Sequence, residues 1–78
     1  MEKITQKELR EVRKKQVELQ KKYYDWRKGQ CFFNALHMLF PDIANSIRRT
    51  KYDPFHTNKS SSVETTITFI LKEKNENI

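Results

Sequence analysis

The stretch SSVETTITFILKEK, residues 61–74, reads two ways, and the choice decides the fold class. Val63, Thr65, Ile67, Phe69 and Leu71 alternate with the period of a strand. Val63, Ile67, Ile70 and Leu71 instead share one face of a helix that a Ser61/Glu64 capping box would open. A strand must pair its backbone groups with another strand, and nothing else in the chain has strand character, so a strand here would pair with a second copy. A helix needs only a neighbour for its apolar face. The expectation is therefore a C-terminal helix and an all-α fold.

Upstream, HTNKSSS, residues 56–62, reads as a polar linker. TKYDPF, residues 50–55, reads as a turn, because Pro54 pushes Asp53 out of the helical region, and Tyr52 and Phe55 are expected to fold back onto the core. Pro41 cannot continue a helix but suits the first turn of one, and Asp42 beside it favours the helix dipole. That places a short helix over 41–49, burying Ile43, Ala44 and Ile47 and setting Arg48 and Arg49 at its negative end.

The window DWRKGQCFFNALHMLF, residues 25–40, carries most of the aromatic bulk. Over 30–40 the spacing predicts an amphipathic helix. Phe32, Phe33, Leu36, Leu39 and Phe40 lie on one arc, and Gln30, Asn34 and His37 form an uncharged stripe on another. Lys28-Gly29 reads as the end of the preceding helix, glycine being suited to the left-handed position beyond a helix terminus.

That preceding helix is expected over 6–26 or 27. Thr5 and Glu8 fit a capping box, and Ile4 and Leu9 stand where a hydrophobic staple would be. Leu9, Val12, Gln16, Leu19, Tyr23 and Trp26 follow a 3-4-3-4-3 spacing, the seam of a short coiled coil. Either this seam packs inside its own domain, or it joins two copies with Gln16 fixing the register.

With 78 residues the chain is expected to form one domain, its core in 5–55, its linker in 56–62 and a C-terminal element in 63–74. A domain of this size buries only about 60% of the surface its unfolded chain exposes, so the core is thin. One cysteine, Cys31, forms no internal disulfide, and two histidines with it make no structural zinc site. There is no apolar run of membrane-spanning length and no secretion signal, so a cytoplasmic protein without membrane partners is expected. The net charge is +6, and residues 1–29 hold ten Lys/Arg against five Asp/Glu, so an anionic partner would meet the N-terminal segment.

Between residues 26 and 55 the chain resembles a group of small uncharacterised proteins of tailed bacteriophages and prophages. The residues carrying the likeness are Trp26, Arg27, Gly29, Gln30, Phe33, Asn34 and Leu36, then Pro41, Ile47, Arg48, Thr50, Asp53, Pro54 and Phe55. The likeness covers under half the chain. That group has a shorter N-terminus and runs on after D-P-F into an acidic stretch, where this chain has HTNKSSSV. The resemblance implies a phage origin, hence a host-cell cytoplasm, and attaches no activity.

Enzymatic chemistry is not expected. Cys31 and His37 stand about 120° apart on a helix and cannot act as nucleophile and base, and a single glycine permits no phosphate-cradling loop. His37 and His56 with Asp42 or Asp53 match no metal-ligand spacing, and no cofactor is expected. Two surfaces are candidates for binding. Lys7, Arg10, Lys14 and Lys21 line one strip of the first helix and either stay solvated or neutralise phosphates of a nucleic acid or nucleotide. Arg27, Gln30, Asn34, His37, Arg48 and Arg49 either satisfy local structure, with Arg48 pairing to Asp53, or recognise a partner by neutral amides and positive charge. The leading expectation is a non-enzymatic accessory protein that modulates a host protein, such as a defence component. The alternatives are a nucleic-acid binder and a phage assembly subunit.

Overall fold

The computed structural model describes residues 2–72 and contains four helices: α1 (Gln6–Lys22), α2 (Lys28–Leu39), α3 (Pro41–Ile47) and α4 (Ser60–Ile70). The fold is all-α. The one β-type contact among the described residues is a parallel bridge between Ile4 and Leu71, where Ile4 N–H donates to Ile70 O at 2.9 Å and Lys72 N–H donates to Ile4 O at 2.7 Å. It ties the start of the described chain to the end of α4 and buries Ile4.

α1 starts as its sequence demands. Thr5 Oγ1 accepts from Glu8 N–H at 3.1 Å, and Glu8 Oε1 accepts from Thr5 N–H at 2.8 Å. Its end falls at Lys22, four residues short of Trp26. Tyr23 leaves the helical region, Trp26 N–H closes a turn on Tyr23 O at 2.9 Å, and the two rings stack at 4.0 Å. Continuing the helix would have carried the chain away from α1. The stacked turn instead sends α2 back along α1's apolar face.

That return decides the fate of the seam. Val12, Gln16 and Leu19 are buried and Leu9 and Tyr23 are partly buried against the chain's own core. The seam thus packs inside its own domain, the first of the two readings, with α2 against it. Gln16, assigned above to register, is a 4% exposed residue inside one domain.

α2 packs against each of the other three helices. Phe32, Phe33 and Leu36 are buried along it, as the helical pattern predicts, and Cys31 and Ala35 are buried with them, whereas Leu39 of the expected arc is 39% exposed and Phe40, the residue that ends the helix, is half-buried. Lys28-Gly29, read above as the end of the first helix, is the first turn of α2, and Gly29 has no positive φ. Its value is closeness of approach: residues 54–57 run directly over it, and Gly29 N–H donates to Thr57 O at 2.8 Å. Asn58 Oδ1 accepts from Lys28 N–H at 2.8 Å, capping α2 from thirty residues away. The segment 56–62 is therefore not a linker. Its first half closes the amino end of α2 and its second half is already α4.

α3 buries Ile43, Ala44 and Ile47 as expected but ends at Ile47, two residues before Arg49. α4 opens at Ser60 with Lys59 as its cap, so the Ser61/Glu64 box does not form. Residues 73 and 74 of the expected C-terminal element lie outside the described residues. Val63, Thr66, Ile67 and Ile70 are buried, which places α4 in the same core as α2 rather than beyond it.

Thr66 is the polar member of that face. Its hydroxyl is directed at Tyr52 O at 2.6 Å and at Ser62 O at 3.2 Å, in a site 1% exposed, while the Tyr52 ring stacks on Phe69 at 3.8 Å. Thr66→Val keeps the shape and strands the Tyr52 carbonyl, so urea melts should show a loss of about 1–3 kcal/mol.

Candidate functional site

The connector after α3 is built from local hydrogen bonds. Thr50 N–H and Oγ1 both donate to Ile47 O, at 3.1 and 2.6 Å, and Tyr52 N–H donates to Thr50 Oγ1 at 3.1 Å. Asp53, held extended before the buried Pro54, accepts from Arg49 N–H through Oδ2 at 2.8 Å and from Phe55 N–H through Oδ1 at 3.0 Å. Arg49 is thereby fixed at φ 64°, in the left-handed region. Glycine occupies that region freely, whereas an L side chain costs about 1–2 kcal/mol there.

Beside this connector lies a surface cleft of about 220 Å³. Asn34 contributes to it from α2, Arg48, Arg49 and Asp53 from the connector, and His56 from the turn that follows. Phe33 and Phe55 supply its apolar part, meeting edge to face at 5.9 Å, and the His56 ring stands against Phe55 at 5.0 Å. The Arg48 guanidinium sits 5.6 Å from the centre of the Phe33 ring, a cation–π arrangement that keeps its N–H edges available. The expected Arg48–Asp53 ion pair is absent. Among the described residues the ion pairs are Arg13–Glu64 and Lys15–Glu18, while both Asp53 oxygens are taken by backbone amides. Two arginines thus line the cleft without an ion pair among the described residues, with the Asp53 carboxylate in the same lining.

The six residues assigned from sequence divide. Asn34, Arg48 and Arg49 come together. Gln30 turns inward, its Oε1 accepting from Arg27 N–H at 3.3 Å in the first turn of α2, so the pair is structural. Arg27 is half-buried, and its Nε is buried without a hydrogen-bond partner among the described residues. His37 is half-buried with its ring 6.4 Å from Phe33 and lies outside the cleft. Of the stripe, Gln30 thus caps the first turn of α2, Asn34 lines the cleft and His37 stands apart from it. From sequence Asp53 was read as a turn residue and a partner for Arg48, Phe55 as a core residue and His56 as part of a polar linker, and none of the three as part of a binding site. The Asp-Pro pair, which marks an Asx-type turn, was the signal that the arginines would be positioned from that side.

Lys7, Arg10, Lys14 and Lys21 are all exposed on α1. Cys31 is fully buried, and burial pushes its thiol above the ordinary range, so the nucleophilic thiolate is disfavoured. No group of three or more His, Cys, Asp or Glu among the described residues is arranged to hold a metal ion. No described helix is long and apolar enough to cross a membrane. The chain matches no family model, no curated protein and no solved structure with which it was compared.

Proposed function

We propose that this chain is a small non-enzymatic accessory protein, of the tailed-phage kind that residues 26–55 resemble. In this reading it binds a host protein at the Asn34/Arg48/Arg49 cleft and modulates or inhibits it in the host cytoplasm. A phage origin makes a host defence component the suggested target class. The supporting observation is the pair of arginines that make no ion pair among the described residues, beside a neutral amide, with Asp53 hydrogen-bonded to backbone amides. Keeping an arginine at φ 64°, where glycine costs nothing, fits a side chain retained for what it contacts.

The double variant Arg48→Ala/Arg49→Gly tests this cleanly. Both positions are exposed, and glycine relieves the left-handed backbone, so the variant should fold with stability within about 1 kcal/mol of the parent. Each lost charge-assisted hydrogen bond is worth about 1.5–3 kcal/mol, or roughly ten- to a hundredfold in affinity. A bacterial protein captured by the parent and confirmed to bind in purified form should be released by the double variant. Equal binding by the folded variant would remove the cleft from the proposal.

A further inference from the structure

We infer that the outer face of α1 is a second binding surface, independent of the cleft, which docks duplex nucleic acid through its phosphate backbone. Lys7, Arg10, Lys14 and Lys21 carry it. At about 100° per residue these four fall within an arc of about 60°, centred about 170° from the middle of the Leu9/Val12/Gln16/Leu19 face. The tertiary structure fixes that orientation. The apolar face is locked onto α2, so the cationic strip points to solvent, and all four residues are exposed.

The neighbouring charges leave the strip unopposed along most of its length. Glu8 is engaged by Thr5 N–H at 2.8 Å, Glu18 pairs with Lys15 at 3.0 Å, and Glu64 of α4 pairs with Arg13 at 3.7 Å. On α1 this leaves two carboxylates without an ion pair among the described residues, Glu11 at the margin of the strip and Glu8 turned toward the side of the apolar face. From Lys7 to Lys21 the helix rises about 21 Å, some six base-pair steps of duplex.

Two features of α1 select the partner. A helix that binds an anionic membrane must sink an apolar face into the interface, and here that face is spent in the core, leaving Val17 as the half-exposed apolar residue on the outer side. Single-stranded nucleic acid is held by stacking on aromatic rings, and α1 has no aromatic residue. A rigid row of cations without stacking platforms suits the regular phosphate array of a duplex, bound without base reading.

Fluorescence anisotropy with a random 20-base-pair duplex, titrated from 50 to 300 mM NaCl, tests the inference. Four phosphate contacts predict a log–log salt slope of about −3 to −4. Lys14→Glu/Lys21→Glu should weaken binding at least about tenfold at 50 mM and flatten the slope to about −2 or less. Lys14→Ala/Lys21→Ala repeats the test without charge reversal, and circular dichroism verifies that both variants fold. Arg48→Ala/Arg49→Gly should bind the duplex as the parent does, so this inference and the cleft proposal fail separately. No binding at 50 mM, a slope near zero, or parent-like binding by the folded Lys14/Lys21 variants would overturn it. Tighter binding to a single strand of the same length, or to phosphatidylserine vesicles, would do the same.

Discussion

Gly29→Ala is expected to destabilise the fold severely. A Cβ at this position would overlap the carbonyl oxygen of Pro54 and come within 2.8 Å of both the Pro54 carbonyl carbon and Thr57 Cγ2. The obstacle is backbone, pinned by the Thr57 N–H bond to Pro54 O at 3.0 Å, so it cannot yield as a flexible side chain would. Lifting 54–58 off α2 would relieve the overlap but break the bonds from Gly29 N–H to Thr57 O and from Lys28 N–H to Asn58 Oδ1. Alanine's better helix propensity returns only about 1 kcal/mol. Overpacking at about 1–3 kcal/mol, with two lost hydrogen bonds at about 1 kcal/mol each, outweighs it. For a chain this size, whose whole stability is about 4–12 kcal/mol, a net loss near 3 kcal/mol is severe. Gly29→Asn gives the sharper contrast. Were Gly29 a left-handed terminus, asparagine would serve there nearly as well; with space as the constraint, it should fail like alanine. Parent-like urea midpoints for either variant would refute the close-approach account.

Phe32→Ala should be comparably damaging for a different reason. Phe32 is fully buried on the helix that packs against the other three, and truncating such a ring costs about 3–5 kcal/mol through lost transfer energy and an unfilled cavity. In so thin a core the variant should lose its cooperative thermal transition or melt far below the parent. His37→Ala, on the same helix but half-buried, should cost about 1 kcal/mol or less and keep a sharp transition. Equal losses at the two positions would mean that burial along α2 does not set the stability of the fold.

The features that local chemistry dictates were legible in the residues. The Thr5/Glu8 box opens α1 where it is written because donor and acceptor stand three residues apart. Pro41 starts α3 because the ring forbids continuation and tolerates a first turn. The periodicity of α3 names its buried residues, and that of α2 names Phe32, Phe33 and Leu36, because a helix places every third or fourth side chain on one face, whatever it packs against.

The ends of α1 and α3 and the Ser61/Glu64 box were misread locally, but the larger choices turned on partners elsewhere in the chain. The seam of α1 fits a second copy as well as it fits α2, and only the turn at 23–27, which folds α2 back, chooses between them. Residues 63–71 could alternate as a strand, and the helix expected instead holds through Ile70, its apolar face packed in the core, while Leu71 leaves the helix to bridge with Ile4. Gly29 looked like a terminus because glycine suits both a left-handed backbone and a crowded one. The crowding comes from Pro54 and Thr57, more than twenty residues away, which no local pattern encodes. The cleft is of the same kind. Its arginines and its amide were visible as residue types, but their convergence depends on Asp53 fixing the connector against α2, a packing event that exists only once the chain has closed on itself.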